Sequence, residues 1–190
     1  MLTNCADPDT TQPAMSPITF EGLILRRFQN NDATAFANAA RESVDTVGRW
    51  MPWCTPSFSK QDALAWFKQC RASARSETGY ELGVFSQQTG EFLGGVALNA
   101  IHHQNLFCNL GYWVKQSAQR KGVALRAVRA LVPHAFHVLG MQRVEIVIAT
   151  GNTASEAIAR NYGAHFEGIA RNRLQLHGVA VSASIFSIVP

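Results

Sequence analysis

The six residues Gln119 to Ala124, in the order Gln-Arg-Lys-Gly-Val-Ala, have the types and spacing that a phosphate group needs. They lie between a β-like run ending at Val114 and a helical pattern with Leu125, Val128, Val132, Ala135 and Leu139 on one face. The first turn of a helix carries N–H groups with no internal partner, and together with the helix dipole these can bind a pyrophosphate. Gly122 lets an anion approach the main chain, Ala124 keeps that surface low, and Arg120 and Lys121 place positive charge nearby.

The elements that must hold this loop can be read from periodicity. Leu23 to Phe28 is a short β-like run, and order is expected from near Ile18. Asn31 and Asp32 offer a cap for a helix whose apolar face is Phe36, Ala40, Val44 and Val47. A loop rich in aromatics follows from Gly48 to Phe58, and Ser59 with Asp62 caps a second helix reaching about Arg75. Tyr80 to Ser86, Glu91 to Ile101 and Leu106 to Val114 are three strands of an antiparallel meander. Gly94 and Gly95 inside the second of them mark a bulge or a close approach by another backbone or a ligand.

The third helix should kink at Pro133 and close at Gly140, and it crosses over to a strand at Arg143 to Thr150. Thr153 with Glu156 reads as the capping box of a last helix ending at Gly163. Phe166 to Leu176 and Val181 to Val189 then form a hairpin about His177 and Gly178. The order β-α-α-β-β-β-α-β-α-β-β predicts an α+β domain on a mixed, mostly antiparallel sheet, spanning residues 18–190 after a mobile tail at 1–17.

Composition narrows the function. Of 190 residues, 47% are hydrophobic and 16% charged, enough for one sizeable core. Seventeen basic against thirteen acidic residues suit a phosphorylated ligand and are too few for a protein whose main partner is nucleic acid. No apolar run is long enough to span a membrane and the N-terminus is no signal peptide, so a cytoplasmic protein is expected. Cys5, Cys54, Cys70 and Cys108 are widely spaced and read as reduced thiols in or near the core. His134 and His137 share a helix face without a third ligand, so no metal is expected. Neither G-x-G-x-x-G nor G-x-x-x-x-G-K-S/T occurs, which argues against a Rossmann-type dinucleotide site and a Walker loop.

Between a strand and a long helix, Gln119, Gly122 and Ala124 resemble the acetyl-CoA loop of the GNAT N-acetyltransferase superfamily, Q/R-x-x-G-x-G/A, and the order of elements is similar too. A closer resemblance is to the RimJ/RimL-like branch, which acetylates the N-termini of ribosomal proteins. Leu23 to Arg27, Gly111 to Trp113, Asn152 with Ser155, and Glu167-Gly168 followed by Arg171-Asn172 carry it. The resemblance implies acetyl-CoA as co-substrate, its pantetheine arm lying beside Trp113 and Val114 and its phosphates on Gln119, Arg120, Lys121, Gly122, Val123 and Ala124. It implies that Asn152 and Ser155 approach the thioester, with Ser155 the proton donor to the leaving thiolate, although Asn and Ser are also common at helix starts. Arg160 would reach a CoA phosphate or be an exposed helix arginine.

Two family features are missing. Where many relatives carry a tyrosine acid the chain has Ala159, with Tyr162 almost a turn away, and Arg171 to Gln175 contains no carboxylate. A base that accepts the amine's proton is therefore sought among Glu81, Glu145, His102 and His103, and the Val114 N–H could steady the oxyanion. Trp50, Met51, Trp53 and Phe58 either line an acceptor cleft or pack on the core. The expected activity is transfer of acetyl to a primary amine, most simply a protein N-terminus, by direct attack in a ternary complex; a homodimer is left open. A small-molecule amine is the alternative acceptor, and a CoA-binding module without catalysis the alternative class.

Overall fold

A computed structural model of the chain, describing residues 15–190, starts its sheet with a hairpin. Strands β1 (Ile18–Phe20) and β2 (Leu23–Arg26) pair antiparallel about Glu21 and Gly22, whose φ angles are 42° and 78°. Two positive φ values in a two-residue turn match the twist of the flanking strands. The single strand expected over 23–28 is thus the second arm of a pair. The expected tail, Met1 to Pro17, falls mostly outside the described residues, but Met15 is buried in the main core, so order begins before Ile18.

Helix α1 (Ala33–Glu42) carries Phe36 and Ala40 inward, and then the backbone widens into a π-turn over Val44–Gly48 instead of continuing to Val47 as an α-helix. Buried Ser43 explains the break. Its Oγ donates to the Ala39 carbonyl at 2.6 Å, a group that the helix ladder would otherwise claim, and accepts the Gln116 N–H at 2.9 Å. Asp32 does not cap α1 as expected. It accepts two hydrogen bonds from the Arg26 guanidinium, at 2.7 and 2.8 Å, and one from the Gln29 N–H. Helix α2 (Lys60–Arg75) does start with the expected reciprocal cap between Ser59 and Asp62.

Strands β3 (Gly79–Ser86), β4 (Phe92–His102) and β5 (Phe107–Val114) form the meander. Helix α3 (Val123–His137) runs through Pro133 and carries the chain to β6 (Arg143–Ala149), which lies parallel to β5. Helix α4 (Thr153–Tyr162) leads to the hairpin of β7 (His165–Leu176) and β8 (Val179–Ile188). The eight strands are ordered β1-β2-β3-β4-β5-β6-β8-β7, and β5–β6 is the parallel pair in an otherwise antiparallel sheet. Helices cover both faces. Phe28, Phe36, Phe67, Phe85 and Phe92 pack α1 and α2 on one, while Val128, Leu131, Leu98, Leu110, Ile146 and Phe186 fill the core under α3 and α4.

The parallel pair is incomplete, and this shapes the molecule. Phe107 to Asn109 pair with Arg143 to Glu145, and beyond them β5 stays with β4 while β6 stays with β8. The strands part like a fork. Peptide groups on one edge of Leu110–Val114 and of Ile146–Ala149 therefore face a gap rather than a neighbouring strand, and need another partner.

Gly94 and Gly95 satisfy both expectations for them. Val84 pairs with Gly94 and Phe85 with Phe92, so Leu93 is the extra residue of a bulge. A Cβ on Gly94 would come within 2.2 Å of the Trp113 carbonyl oxygen, and one on Gly95 within 2.6 Å of the Trp113 indole nitrogen. These glycines let β4 press against the outer wall of the fork. Gly94→Ala should push Trp113 and Val114 away from β4 and cost about 1–3 kcal/mol, read as a lower urea midpoint at constant slope.

Candidate active site

At the open end of the fork a 3-10 turn, Gln116–Ala118, leads into the loop before α3. Arg120 and Gly122 both have left-handed backbones, with φ of 61° and 72°. No side chain caps α3, and its first main-chain bond runs from Arg126 N–H to Gly122 O at 3.1 Å. The N–H groups of Val123, Ala124 and Leu125 thus precede the first bond of the helix and point out of its end, an arrangement that binds anions.

Three side chains that the sequence reading passed over hold this loop. Ser43 receives the Gln116 N–H, Glu42 receives the N–H and hydroxyl of Ser117 at 3.2 and 2.8 Å, and Thr46 Oγ1 receives Gln119 Nε2 at 3.1 Å. Gln119 also donates to the Val114 carbonyl at 3.0 Å, so it braces the loop against the fork. Arg126 gathers carbonyls from three places, donating to Glu21 at 2.6 Å, to Lys121 at 3.1 Å and to Gly122 at 3.4 Å. Lys121 donates to the Ser117 carbonyl, while Arg120 is exposed beside the helix end. Only Arg126 carries a local signal, one helical turn after Gly122; the others lie some seventy residues away in sequence.

Across the gap, α4 begins at Asn152, whose Oδ1 accepts the Ser155 N–H at 3.2 Å. The cap is Asn152, not the expected Thr153 and Glu156 pair. Glu156 instead accepts from Ser184 Oγ at 2.7 Å and faces Arg160 at 3.8 Å. Ser155 meets Tyr112 of β5: the phenol oxygen is 3.1 Å from the Ser155 carbonyl and 3.0 Å from its Oγ. Arg160 does not join the loop. Two turns further along α4, its guanidinium lies over the rings of Phe186 and Phe166, at 5.1 and 5.5 Å.

The candidate bases occupy different places. Glu145, beside Asn109 in the sheet register, sits where the fork closes and receives Arg143 Nε at 2.9 Å. Glu81 lies two strands away from β5 against α2, in a cavity of about 20 Å³ lined also by Phe67, Cys70 and Tyr80. Burial pushes its carboxyl up, and its Oε2 has no partner. It faces α2 whereas Ser155 is on α4, so the two are on opposite faces of the sheet. His102 and His103 belong to the far end of the β4–β5 hairpin, where His102 stacks on Phe107 and His103 meets the Glu77 carbonyl.

Of the aromatic loop, Trp53 and Phe58 pack with Phe36, and Trp53 also meets the edge of Trp113 at 5.2 Å between ring centres. Met51 packs against the small cluster of Ala40, Val47 and Cys54. Trp50 alone reaches toward the turn between β6 and α4, where a Cβ on Gly151 would lie 3.9 Å from its ring. The hairpin tip closes in beside it, with His177 Nε2 3.0 Å from the Gly48 carbonyl. Cys54, Cys70 and Cys108 are buried and free, and burial pushes Cys70 and Cys108 up to about 12, which keeps them as thiols. Among the described residues no three metal-ligating side chains gather, and no helix is long and apolar enough to cross a membrane.

Behind Glu145, Arg143 also binds both oxygens of Glu167, and Ser187 donates to Glu167 at 2.7 Å. The guanidinium holds the Glu167 carboxyl down at about 2, below its ordinary value. Glu167 therefore stabilises the fold above the unfolded carboxyl's titration range, and this contribution is lost as pH falls through about 2. Glu167→Gln should lower the urea midpoint at pH 7, and the difference from wild type should shrink steadily below pH 4.

A sheet that forks beside a crossover helix with an uncapped, glycine-led N-terminus places unpaired strand edges next to an anion site, and comparison gives the family. The acetyltransferase (GNAT) domain model matches residues 22–165, so the chain belongs to that family and is a GNAT-type acetyltransferase. Among its relatives is the "Putative ribosomal N-acetyltransferase YdaF" of Bacillus subtilis (strain 168), 26% identical over 170 residues, 89% of this chain and 92% of that protein. A solved structure named "putative ribosomal-protein-serine acetyltransferase from Vibrio cholerae" is 32% identical with a TM-score of 0.82, covering 92% of this chain and 97% of that one. RimL, a ribosomal L7/L12 alpha-N-protein acetyltransferase in complex with coenzyme A, shares the fold at a TM-score of 0.83 and 21% identity, over 91% and 97% of the two chains.

Proposed function

We propose that this protein transfers an acetyl group from acetyl-CoA to the N-terminal amine of a protein of ribosomal type. The observation that carries the donor is the fork: unpaired strand edges for an extended amide-containing arm, ending at the uncapped N-terminus of α3 for its pyrophosphate. The acetyl-CoA chemistry is supplied by a thioester whose carbonyl is attacked by the amine. Val114 binds the arm through its main-chain N–H, its neighbour Trp113 having turned its carbonyl toward Gly94 of β4, and Gln119 to Ala124 bind the phosphates. Asn152 sets the first turn of α4, from which Ser155 donates a hydrogen bond to the departing sulfur.

Glu145 and Glu81 both point to the sheet face opposite Ser155, and Glu145 is the nearer of the two to the amine's proton because it borders the fork, while Glu81 is two strands away. The acceptor reading rests on the names of the relatives, together with the Trp50 ring beside Gly151 at the turn before α4, an apolar surface suited to a peptide end. Incubation with acetyl-CoA and peptides starting in Ser, Ala or Met, beside a polyamine and an aminoglycoside, should release thiol fastest with a peptide. Release confined to the small amines would replace the acceptor, and no release from any would remove the catalytic reading. Ser155→Ala should lower kcat about 10- to 100-fold with little change in KM for acetyl-CoA.

A further inference from the structure

We infer that Tyr112 is a positioning residue for the transfer step: it spans the fork from β5 to α4 and orients the Ser155 hydroxyl toward the leaving sulfur. The inference rests on the acyl-transfer reading of Ser155 and adds a residue that the reading does not need. Alternation along β5 puts Tyr112 on the same face as Cys108 and Leu110, toward α3 and α4, whereas Trp113 faces α1 and α2. Tyr112 is the β5 side chain that meets α4 in a hydrogen bond, and it does so at a residue pair where β5 and β6 have already separated.

Burial pushes the Tyr112 phenol up to about 12, so at neutral pH it carries one hydrogen and two lone pairs. With two oxygens of Ser155 in reach, 3.1 and 3.0 Å away, that hydrogen has two addresses. When it points to the carbonyl, the phenol oxygen can accept the Ser155 Oγ–H. When Ser155 turns its hydrogen to sulfur, the phenol turns to Oγ and donates there. A hydroxyl that accepts a hydrogen bond is a stronger donor, so the chain Tyr112 to Ser155 to sulfur stabilises the developing thiolate. As the C–S bond breaks, its electron pair stays on sulfur, the new C–N bond holds the acetyl group, and the amine's proton passes to the base. No proton leaves Tyr112.

The test needs no acceptor. CoA bound to the full-length protein is titrated by the ultraviolet absorbance of its thiolate in wild type, Tyr112→Phe, Ser155→Ala and the double variant, with CoA affinity measured alongside. Bound thiol should ionise at lower pH in wild type than in Ser155→Ala. Tyr112→Phe should reduce the thiolate fraction at fixed pH about three- to tenfold with CoA affinity within about twofold, and the double variant should match Ser155→Ala. Ser155→Thr, which keeps the hydroxyl, should titrate as wild type does, and gives a second reading if Tyr112→Phe is poorly folded. An unchanged titration in Tyr112→Phe, a further loss in the double variant, or a Ser155→Thr protein resembling Ser155→Ala would overturn the role of Tyr112. Ser155→Ala titrating like wild type would remove Ser155 and Tyr112 together, and wild type failing to bind CoA would remove the donor reading itself.

Discussion

Gly122→Val is expected to weaken acetyl-CoA binding about ten- to a hundredfold in calorimetry, the largest functional loss from any single change in the phosphate loop. Gly122 has φ of 72°, and a β-branched residue forced into that region costs on the order of 1–3 kcal/mol. Steric room is available, because the nearest atom to an added Cβ is Arg126 Nε at 3.9 Å. The chain will therefore relieve the strain by rotating the backbone, and this turns away the N–H groups of Val123 and Ala124 and breaks the hold of Arg126 on the Gly122 carbonyl. The loop is exposed at Gly122, so thermal stability should fall by only a few degrees while affinity falls steeply. Full affinity in this variant would mean that the phosphates bind elsewhere.

The largest loss of stability is expected from Phe36→Ala, about 3–5 kcal/mol in urea unfolding. Phe36 is 2% exposed, and its ring lies 5.3 to 5.8 Å from those of Phe28, Phe67, Phe92, Trp113, Trp53 and Phe58. It is the hub that fastens the aromatic loop and α2 to the outer wall of the fork. Truncation removes the burial of one large ring and leaves a cavity whose rigid aromatic lining cannot collapse to fill it. Because Trp113 and Trp53 lose the same neighbour, acetyl-CoA affinity and peptide turnover should both decline under conditions where the variant is still folded. A loss below about 1 kcal/mol would mean that the cluster repacks.

Most of the elements are legible in the sequence because their chemistry is local, although the caps expected at Asp32 and at Thr153 with Glu156 are not formed. The meander, the α3 crossover, the cap at Ser59 and Asp62, and the hairpin about His177 and Gly178 follow from periodicity and turn residues, which act over a few positions. The β1–β2 hairpin was missed because Glu21 takes a positive φ that its side chain does not advertise. The break after α1 was missed for a different reason. Val44 and Val47 keep a helical spacing, and it is the Ser43 hydroxyl, held by the Gln116 N–H 73 residues away, that takes the Ala39 carbonyl from the ladder.

Within the site the same division holds. The loop from Gln119 to Ala124 is legible in the sequence, since a glycine before a helix start exposes free N–H groups, but the side chains of Glu42, Ser43 and Thr46 that hold it are not. Asn152 and Ser155 were legible as residues of α4, but the partner of Ser155 was not, because Tyr112 comes from a strand 43 positions away. Glu81 and Glu145 looked alike as strand carboxylates. Only the register of β5 against β6, which ends at Asn109 and Glu145, puts one of them at the base of the fork and leaves the other under α2. The sequence determined the pieces and the uncapped, glycine-led start of α3 through short-range geometry. The tertiary structure decided which distant side chains share the gap, because the parting of two strands is fixed by their outer partners, β4 and β8, and no local pattern encodes it.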